Sequence, residues 1–211
     1  NNAIIVGNDG TILKSTDGGA SWTEQTIVIT DNLTAVAFAD LNNGLAVSEF
    51  GDNGSLILKT TDGGISWESQ VSQLEYALRS VYFINENVGW AAGYEGKIIR
   101  TTDGGANWQS HLTDATVIMS IFFINANEGW SVGSDWNNFT AKLLRTSDGG
   151  INWVEQLIET NNGLSSIYFI DANTGWVAGQ GGTIMKTTNA GIPVELISFI
   201  VSGFSNGIDL C

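Results

Sequence analysis

The octapeptide Thr101-Thr102-Asp103-Gly104-Gly105-Ala106-Asn107-Trp108 decides the fold, because close copies of it recur along the chain. Three copies span residues 15–22, 60–67 and 146–153, and a degenerate fifth member spans 187–191. Their aspartates, with Asn189 in the fifth member, are separated by 45, 41, 45 and 41 residues. Self-similarity at a period of this length is typical of repeat architectures. We call these segments the Asp turns.

A second motif lies between successive Asp turns. Residues 81–93 (Val-Tyr-Phe-Ile-Asn-Glu-Asn-Val-Gly-Trp-Ala-Ala-Gly) recur at 121–133 and 167–179 and, more loosely, at 36–47, where Leu45 replaces the tryptophan. The two motifs divide each period into four short apolar runs. In one period these runs are Ser80–Ile84, Gly89–Ala92, Lys97–Thr101 and Asn107–Ser110. Short runs bounded by Asn- and Gly-rich turns are typical of antiparallel strands.

Four strands per period predict an all-β chain folded as a β-propeller. In residues 81–84 both alternating sets of side chains are apolar, as expected for a blade that is buried between two neighbours. We expect about five four-stranded antiparallel blades over residues 1–191, as an imperfectly closed ring or a fragment of a larger one. The first blade lacks its innermost strand, and the last has three clear strands. An open arc exposes strand edges, so we expect self-association.

The charge of the chain restricts its partners. The 211 residues include 22 acidic and 8 basic side chains, which gives a net charge of −14. Nucleic-acid binding needs clustered Lys and Arg, so we expect no nucleic-acid partner. Since no apolar run approaches the roughly 18 residues of a membrane span, we expect no membrane insertion.

The repeated carboxylates have two interpretations. They are either functional sites, for acid–base chemistry or calcium, or structural groups that accept hydrogen bonds from the amides of their own turn. A catalytic group appears once, whereas this aspartate appears four times, so we favour the structural interpretation. The residues assigned this structural role are Asp17, Trp22, Asp62, Trp67, Asp103, Trp108, Asp148 and Trp153.

The pattern Ser/Thr-x-Asp-x-Gly-x-Thr/Ser-Trp resembles the Asp-box, or bacterial neuraminidase repeat, of sialidases, sortilin-like receptors and several glycosidases. The longer unit, with Gly-Trp-x-x-Gly before the Asp turn, looks most like the propellers of the photosystem II assembly and stability factor family. This resemblance covers roughly residues 3–191 and implies a propeller fold. It also implies an arginine-rich surface patch, from which this sequence departs, because only Arg79, Lys97 and Lys142 remain once the basic residues that repeat with the blade are set aside.

The tail over residues 192–211 carries a different signal. Ile192-Pro193-Val194-Glu195-Leu196-Ile197-Ser198-Phe199 resembles the start of a small β-sandwich or sorting region in secreted Bacteroidetes-like proteins. We therefore expect a domain boundary after residue 191.

The residues of the chain give little support for an enzymatic function. A sialidase needs an arginine triad, and the chain has three arginines. Arg100 and Arg145, however, occupy the repeat position that holds lysine in the other blades, and Arg79 alone lies outside this template. We expect no catalytic residue, no metal site and no cofactor.

Two insertions distinguish alternate repeats. They lie between the second and third strands, at Glu49–Ser55 and Ser134–Ala141, and therefore at the end of the blade opposite the Asp turns. Insertions in repeat proteins often map to the binding face, and aromatic residues on such loops often contact ligands. The candidate ligand-binding residues, which include the equivalent position of a shorter loop, are Phe50, Tyr94, Trp136 and Phe139.

Taken together, these features predict a non-catalytic, secreted or cell-surface bacterial propeller that binds a protein or a glycan. One alternative is a photosystem II assembly factor-like protein in the periplasm or thylakoid lumen. Another is a non-catalytic or partial portion of a sialidase-like glycoside hydrolase.

Overall fold

The computed structural model describes residues 2–25, 27–49, 54–138, 140–158, 160–189 and 195–196. These residues form β-strands and one 3₁₀ turn, Gln180–Gly182. The strands are, in chain order, β1 (Ala3–Val6), β2 (Ile12–Ser15), β3 (Thr23–Glu24), β4 (Leu33–Phe38), β5 (Gly44–Ser48), β6 (Ser55–Thr60), β7 (Glu68–Leu74), β8 (Leu78–Phe83), β9 (Gly89–Gly93), β10 (Lys97–Thr101), β11 (Gln109–Leu112), β12 (Val117–Phe123), β13 (Gly129–Asp135), β14 (Thr140–Thr146), β15 (Val154–Glu155), β16 (Leu164–Phe169), β17 (Gly175–Gly179), β18 (Ile184–Thr187) and β19 (Glu195–Leu196).

The strands form five antiparallel sheets, each a meander in which consecutive strands pair. Blade 1 contains β1–β3, blade 2 β4–β7, blade 3 β8–β11, blade 4 β12–β15 and blade 5 β16–β19. The four apolar runs predicted in the third period correspond to β8–β11, with ends shifted by up to two residues. The predicted fold, a propeller of four-stranded blades, is confirmed.

The two terminal blades differ from the others. Blade 1 has three strands, and β1 pairs with β2 as the second strand of a complete blade pairs with its third. In blade 5 the fourth strand is β19, whose Glu195 and Leu196 pair with Lys186 and Met185. Two residues of the tail thus extend the propeller sheet beyond the boundary expected at residue 191. The rest of the tail signal lies outside the described residues.

The innermost strands β4, β8, β12 and β16 pack side by side around the propeller axis. Hydroxyl groups join them, because Thr34 Oγ1 donates to the carbonyl of Leu78 at 2.8 Å and the amide of Ile121 donates to Ser80 Oγ at 3.2 Å. The backbones also approach closely within a blade. A Cβ atom on Gly93 would lie 1.9 Å from the carbonyl oxygen of Ala77, so this position requires glycine.

The apolar core lies between the blades rather than in a single centre. The cluster between blades 3 and 4 joins Trp90, Ala92 and Ile98 to Ile121 and Phe123, among others. Comparable clusters fill the other three boundaries. Both faces of the interior blades are therefore buried, as the double apolar pattern of the strands predicts.

The second insertion is a hairpin extension rather than a loop. Ser134 pairs with Ala141 and Asp135 pairs with Thr140, so β13 and β14 are longer than their counterparts in blade 3. Residues 136–138 form the turn between them. Among the described residues, no helix is long and apolar enough to cross a membrane.

Candidate functional site

Each Asp turn is closed by its own hydrogen bonds, as the turn of blade 3 shows. Thr101 Oγ1 donates to Asp103 Oδ1 at 2.9 Å and accepts from the amide of Gly105 at 2.9 Å. Asn107 donates to Oδ1 from its amide at 2.9 Å and to Oδ2 from its side chain at 2.8 Å. Gly104 and Gly105 have φ values of 71° and 93°, which glycine adopts without strain.

The same network recurs around Asp17, Asp62 and Asp148. These hydrogen bonds favour the charged carboxylate, so they lower the pKa of all four aspartates, to about 2 for Asp103 and Asp148. Both oxygens of each carboxylate accept hydrogen bonds from the turn itself. The geometry thus agrees with a structural role for the four aspartates.

The tryptophans that follow the turns have less uniform surroundings. Trp22, Trp108 and Trp153 each donate from Nε1 to the second glycine carbonyl of their own turn, at 3.0–3.1 Å. The buried Nε1 of Trp67 has no hydrogen-bond partner among the described residues. The fully buried tryptophans are instead Trp90 and Trp130 of the second motif.

The opposite face carries the predicted aromatic residues. Tyr94 follows β9, and Trp136 lies in the turn of the long hairpin of blade 4. Their rings meet edge to face with centroids 5.4 Å apart, and Trp136 is 52% exposed. Phe50 and Phe139 lie outside the described residues. The structure therefore brings two of the four candidate residues together, one from each of two neighbouring blades.

An ion pair lies beside this aromatic contact. Arg79, near the start of β8, donates from Nη2 to the hydroxyl of Tyr94 at 3.0 Å and lies 3.5 Å from Glu49 Oε2. Glu49 Oε1 in turn accepts from Asn32 Nδ2. Arg79 and Glu49 are each about one-third exposed, so both remain accessible from the solvent.

Two grooves share Arg79 and Glu49 in their linings. One, of about 400 Å³, is lined by Glu49, Glu75, Tyr76, Ala77, Arg79, Tyr94 and Glu95. The other, of about 350 Å³, is lined by Asn8, Asn32, Leu33, Thr34, Glu49, Arg79 and Met119, which come from blades 1 to 4. We call the two together the axial groove, because they share Arg79 near the start of the innermost strand β8.

The wall of the axial groove is polar and aromatic. Lys97 Nζ lies 4.3 Å from the centre of the Tyr76 ring and 3.4 Å from Glu95 Oε2. Burial raises the pKa of Tyr76, and a hydrogen bond with Ser110 partly offsets that effect. The groove thus offers carboxylates, one guanidinium group and two phenol rings to an occupant.

The sequence marks Arg79 as the arginine outside the repeat template but does not place it in the site. Its partner Glu49 lies 30 positions earlier in the chain. The two meet because the first strand of one blade begins beside the end of the second strand in the preceding blade. The signal for the site in the sequence is that Arg79 lies outside the position at which basic residues repeat from blade to blade.

The fold defines a class of protein, the β-propeller built from repeats of the bacterial neuraminidase type. The chain belongs to the photosynthesis system II assembly factor YCF48 family, whose model matches residues 25–117 and 109–199. Comparison with curated proteins finds no match to the sequence.

Solved structures share the fold at low sequence identity. YCF48 bound to D1 peptide is 20% identical, with a TM-score of 0.62 over 92% of this chain and 76% of that one. YCF48 from Cyanidioschyzon merolae is also 20% identical, with a TM-score of 0.69 over 92% of this chain and 66% of that one. The GH74 xyloglucanase from Xanthomonas campestris is 14% identical, with a TM-score of 0.74, and the chain spans 37% of its length.

Proposed function

We propose that this protein is a non-catalytic assembly factor-like propeller that binds a segment of a partner protein in the axial groove. The observation that carries the proposal is the Arg79–Glu49 pair with the Tyr94–Trp136 contact beside it. These groups lie at the ends of neighbouring blades, on the face opposite the Asp turns. They combine charge, hydrogen-bonding capacity and exposed aromatic surface in one place.

Family membership supports a protein partner over a glycan. The matching family is named for assembly of photosystem II, and one solved relative is described as bound to a D1 peptide. The assembly-factor alternative thus gains more support than a general secreted scaffold. Family membership also favours the periplasm or thylakoid lumen over the cell surface as the location of the protein.

The chemistry of the groove suits an extended polypeptide. Peptide backbones need both donors and acceptors, which Arg79, Asn32 and the glutamates supply. Trp136 and Tyr94 offer rigid aromatic surface. Tryptophan and tyrosine are enriched among the interface residues that contribute most of the binding energy. The carboxylates of Glu49, Glu75 and Glu95 disfavour an acidic segment, so the expected occupant is neutral or basic.

The test is binding of the purified protein to an array of short peptides and, in parallel, to a glycan array. We expect peptide binding that falls about tenfold or more in Trp136→Ala and in Arg79→Gln. The matched control is Leu157→Ala, which removes an exposed apolar side chain beyond β15 and is expected to leave binding unchanged. Binding to glycans alone, or peptide binding that both groove variants retain, would refute the proposal.

A further inference from the structure

The innermost strand of each four-stranded blade contains a β-bulge near its start. In blade 3, Leu78 and Ser80 pair with consecutive residues of β9, so Arg79 between them is an extra residue without a partner in the ladder. The same shift of register occurs in blades 2, 4 and 5. The extra residues of the four bulges, in chain order, are Thr34, Arg79, Met119 and Ser165.

The bulge separates its extra residue from the apolar core. Leu78 and Val81 both belong to the cluster between blades 2 and 3, although residues three apart in a regular strand face opposite sides. Ile118 and Ile121 likewise share the cluster between blades 3 and 4. The inserted residue accounts for this shared side, because it shifts the alternation by one position. Among the described residues, Met119 is not part of any of the four apolar clusters.

Three of the bulges converge on one groove. Thr34, Arg79 and Met119 come from blades 2, 3 and 4, and all three line the part of the axial groove that has a volume of about 350 Å³. Each of these blades packs against another blade on both sides. The bulges therefore direct one side chain from each of three successive blades into the groove.

The bulge is also the position at which otherwise similar strands differ. The residue before it is leucine or isoleucine in all four strands, and the second residue after it is valine or isoleucine. The bulge residue itself is a threonine, an arginine, a methionine or a serine. The flanking positions form the core, so the groove can vary at the bulge without a change in the packing of the blades.

Met119 supplies accessible apolar surface to this groove. Among the described residues, the other lining side chains are polar apart from Leu33, which is only 4% exposed, whereas Met119 is half-buried. Thr34 donates its hydroxyl to a carbonyl of β8, and Arg79 pairs with Glu49. A methionine side chain is flexible and adapts to irregular apolar surfaces. An apolar group can therefore displace water from Met119 without breaking a hydrogen bond of the groove.

We propose that Met119 is a specificity-determining residue of the axial groove, which selects an apolar side chain at one position of the bound segment. This inference rests on the proposed function, because it requires a polypeptide in the groove. Arg79 and the other polar groups bind the backbone of any segment, whereas Met119 distinguishes between segments by one side chain. Leucine, valine and methionine are the residues of matching chemistry, since each removes apolar surface from water when it contacts the thioether.

The test is a substitution scan of the peptides that bind in the array, with each position replaced in turn by serine, leucine and glutamate. For the wild-type chain we expect one position at which leucine binds about tenfold more tightly than serine. Met119→Ser is expected to reduce this preference to about twofold or less, which a double-mutant cycle between protein and peptide measures. Met119→Arg is expected to favour glutamate at the same position.

Both substitutions introduce residues that the chain already holds at equivalent bulges, Ser165 and Arg79, so the blade is expected to fold. Circular dichroism melting verifies this. The matched control is Leu41→Ser, which removes an exposed apolar side chain in the turn between β4 and β5, beside the Asp turn of blade 2. This variant is expected to keep the wild-type preference at every peptide position.

Two results would overturn the inference and leave the proposed function standing. One is a preference for an apolar residue that Met119→Ser leaves unchanged. The other is peptide binding by the wild-type chain with no apolar preference at any position. A wild-type chain that binds no peptide would instead refute the proposed function and this inference together.

Discussion

Trp90 and Phe123 stack face to face across the boundary between blades 3 and 4, with ring centroids 3.5 Å apart and ring planes within 7° of parallel. Trp90 is fully buried and also donates to the next Asp turn. Trp90 of the second motif thus joins one blade to the next, whereas Trp22, Trp108 and Trp153 of the Asp turns bond within their own turns. The tryptophans of the two motifs therefore have different structural roles.

Replacing Trp90 by Ala is expected to lower the free energy of unfolding by about 3–5 kcal/mol, because it removes a large buried ring and leaves a cavity. Trp90→Leu is expected to cost less, since Leu45 fills the equivalent position of blade 2. Urea denaturation measures both effects. The control is Trp136→Ala, which removes an exposed ring and is expected to change stability by roughly 0.5 kcal/mol or less. Equal losses at Trp90 and Trp136 would contradict the joining role.

Much of the fold could be predicted, because each sequence repeat corresponds to one blade. The spacing of the Asp turns determines the number of blades, and alternating apolar residues determine the strands. The stacking of Trp90 on Phe123 could not be predicted, because the sequence does not show which face of a blade meets which residue of the next. It becomes visible only when both blades are placed around the axis.

The candidate site was less predictable for a related reason. Residues 134–141 lack the apolar alternation of a strand, so they resemble a loop, yet backbone pairing between Ser134 and Ala141 extends the hairpin. Backbone hydrogen bonds do not depend on side-chain pattern, and the neighbouring strands already set the register. The Arg79–Glu49 pair needs the convergence of two blades, which no local pattern encodes.

The hydroxyl that closes each Asp turn is expected to contribute to stability. Thr101 is buried, and its Oγ1 bridges Asp103 and the amide of Gly105. Thr101→Val keeps the shape but leaves that buried amide without an acceptor, so we expect a loss of about 1–3 kcal/mol in urea denaturation. Thr102→Val, at the exposed neighbouring position, is the matched control. Similar losses in the two variants would contradict the bridging role.

The Asp turns are expected to make stability depend on acid. Hydrogen bonds from Asn107 and Thr101 hold the pKa of Asp103 at about 2, below its ordinary value of 3.8, and Asp148 behaves alike. A lowered pKa in the folded state stabilises the fold above the ordinary value, and this stabilisation is lost as the pH falls towards the folded value. The melting temperature is therefore expected to fall between about pH 4 and pH 2. Asp148→Asn introduces the residue found naturally at Asn189, and its melting temperature is expected to depend less on pH over that interval. A melting temperature that falls with pH as steeply as in the wild type would contradict the stabilising role of this carboxylate.

The chain is expected to show no glycosidase activity. Arg145 lies 5.7 Å from the centre of the Trp130 ring and bonds to Glu128, and Arg79 pairs with Glu49. These arginines are therefore engaged on separate blades rather than gathered around one substrate. An assay panel of sialosides, aryl glycosides and xyloglucan is expected to give no turnover above buffer. Turnover that Arg79→Ala abolishes would show that the arginine is catalytic.

The terminal blades are expected to open more readily than the interior ones, because within the described part of the chain each packs against only one other blade. Among the described residues, β1 has no inner partner in its sheet, and blade 5 exposes Tyr168 and Ile184. Fewer buried contacts mean a lower free energy of local opening, so backbone amides there exchange faster with solvent. Hydrogen exchange with mass spectrometry at low protein concentration measures this difference without interference from self-association. The equivalent strands β2, β10 and β14 provide an internal comparison, since each is the third strand of its blade template, and β2 is expected to exchange at least about tenfold faster than β10. Uniform protection across blades 1, 3 and 5 would indicate a closed ring, in which both terminal faces are covered within one chain.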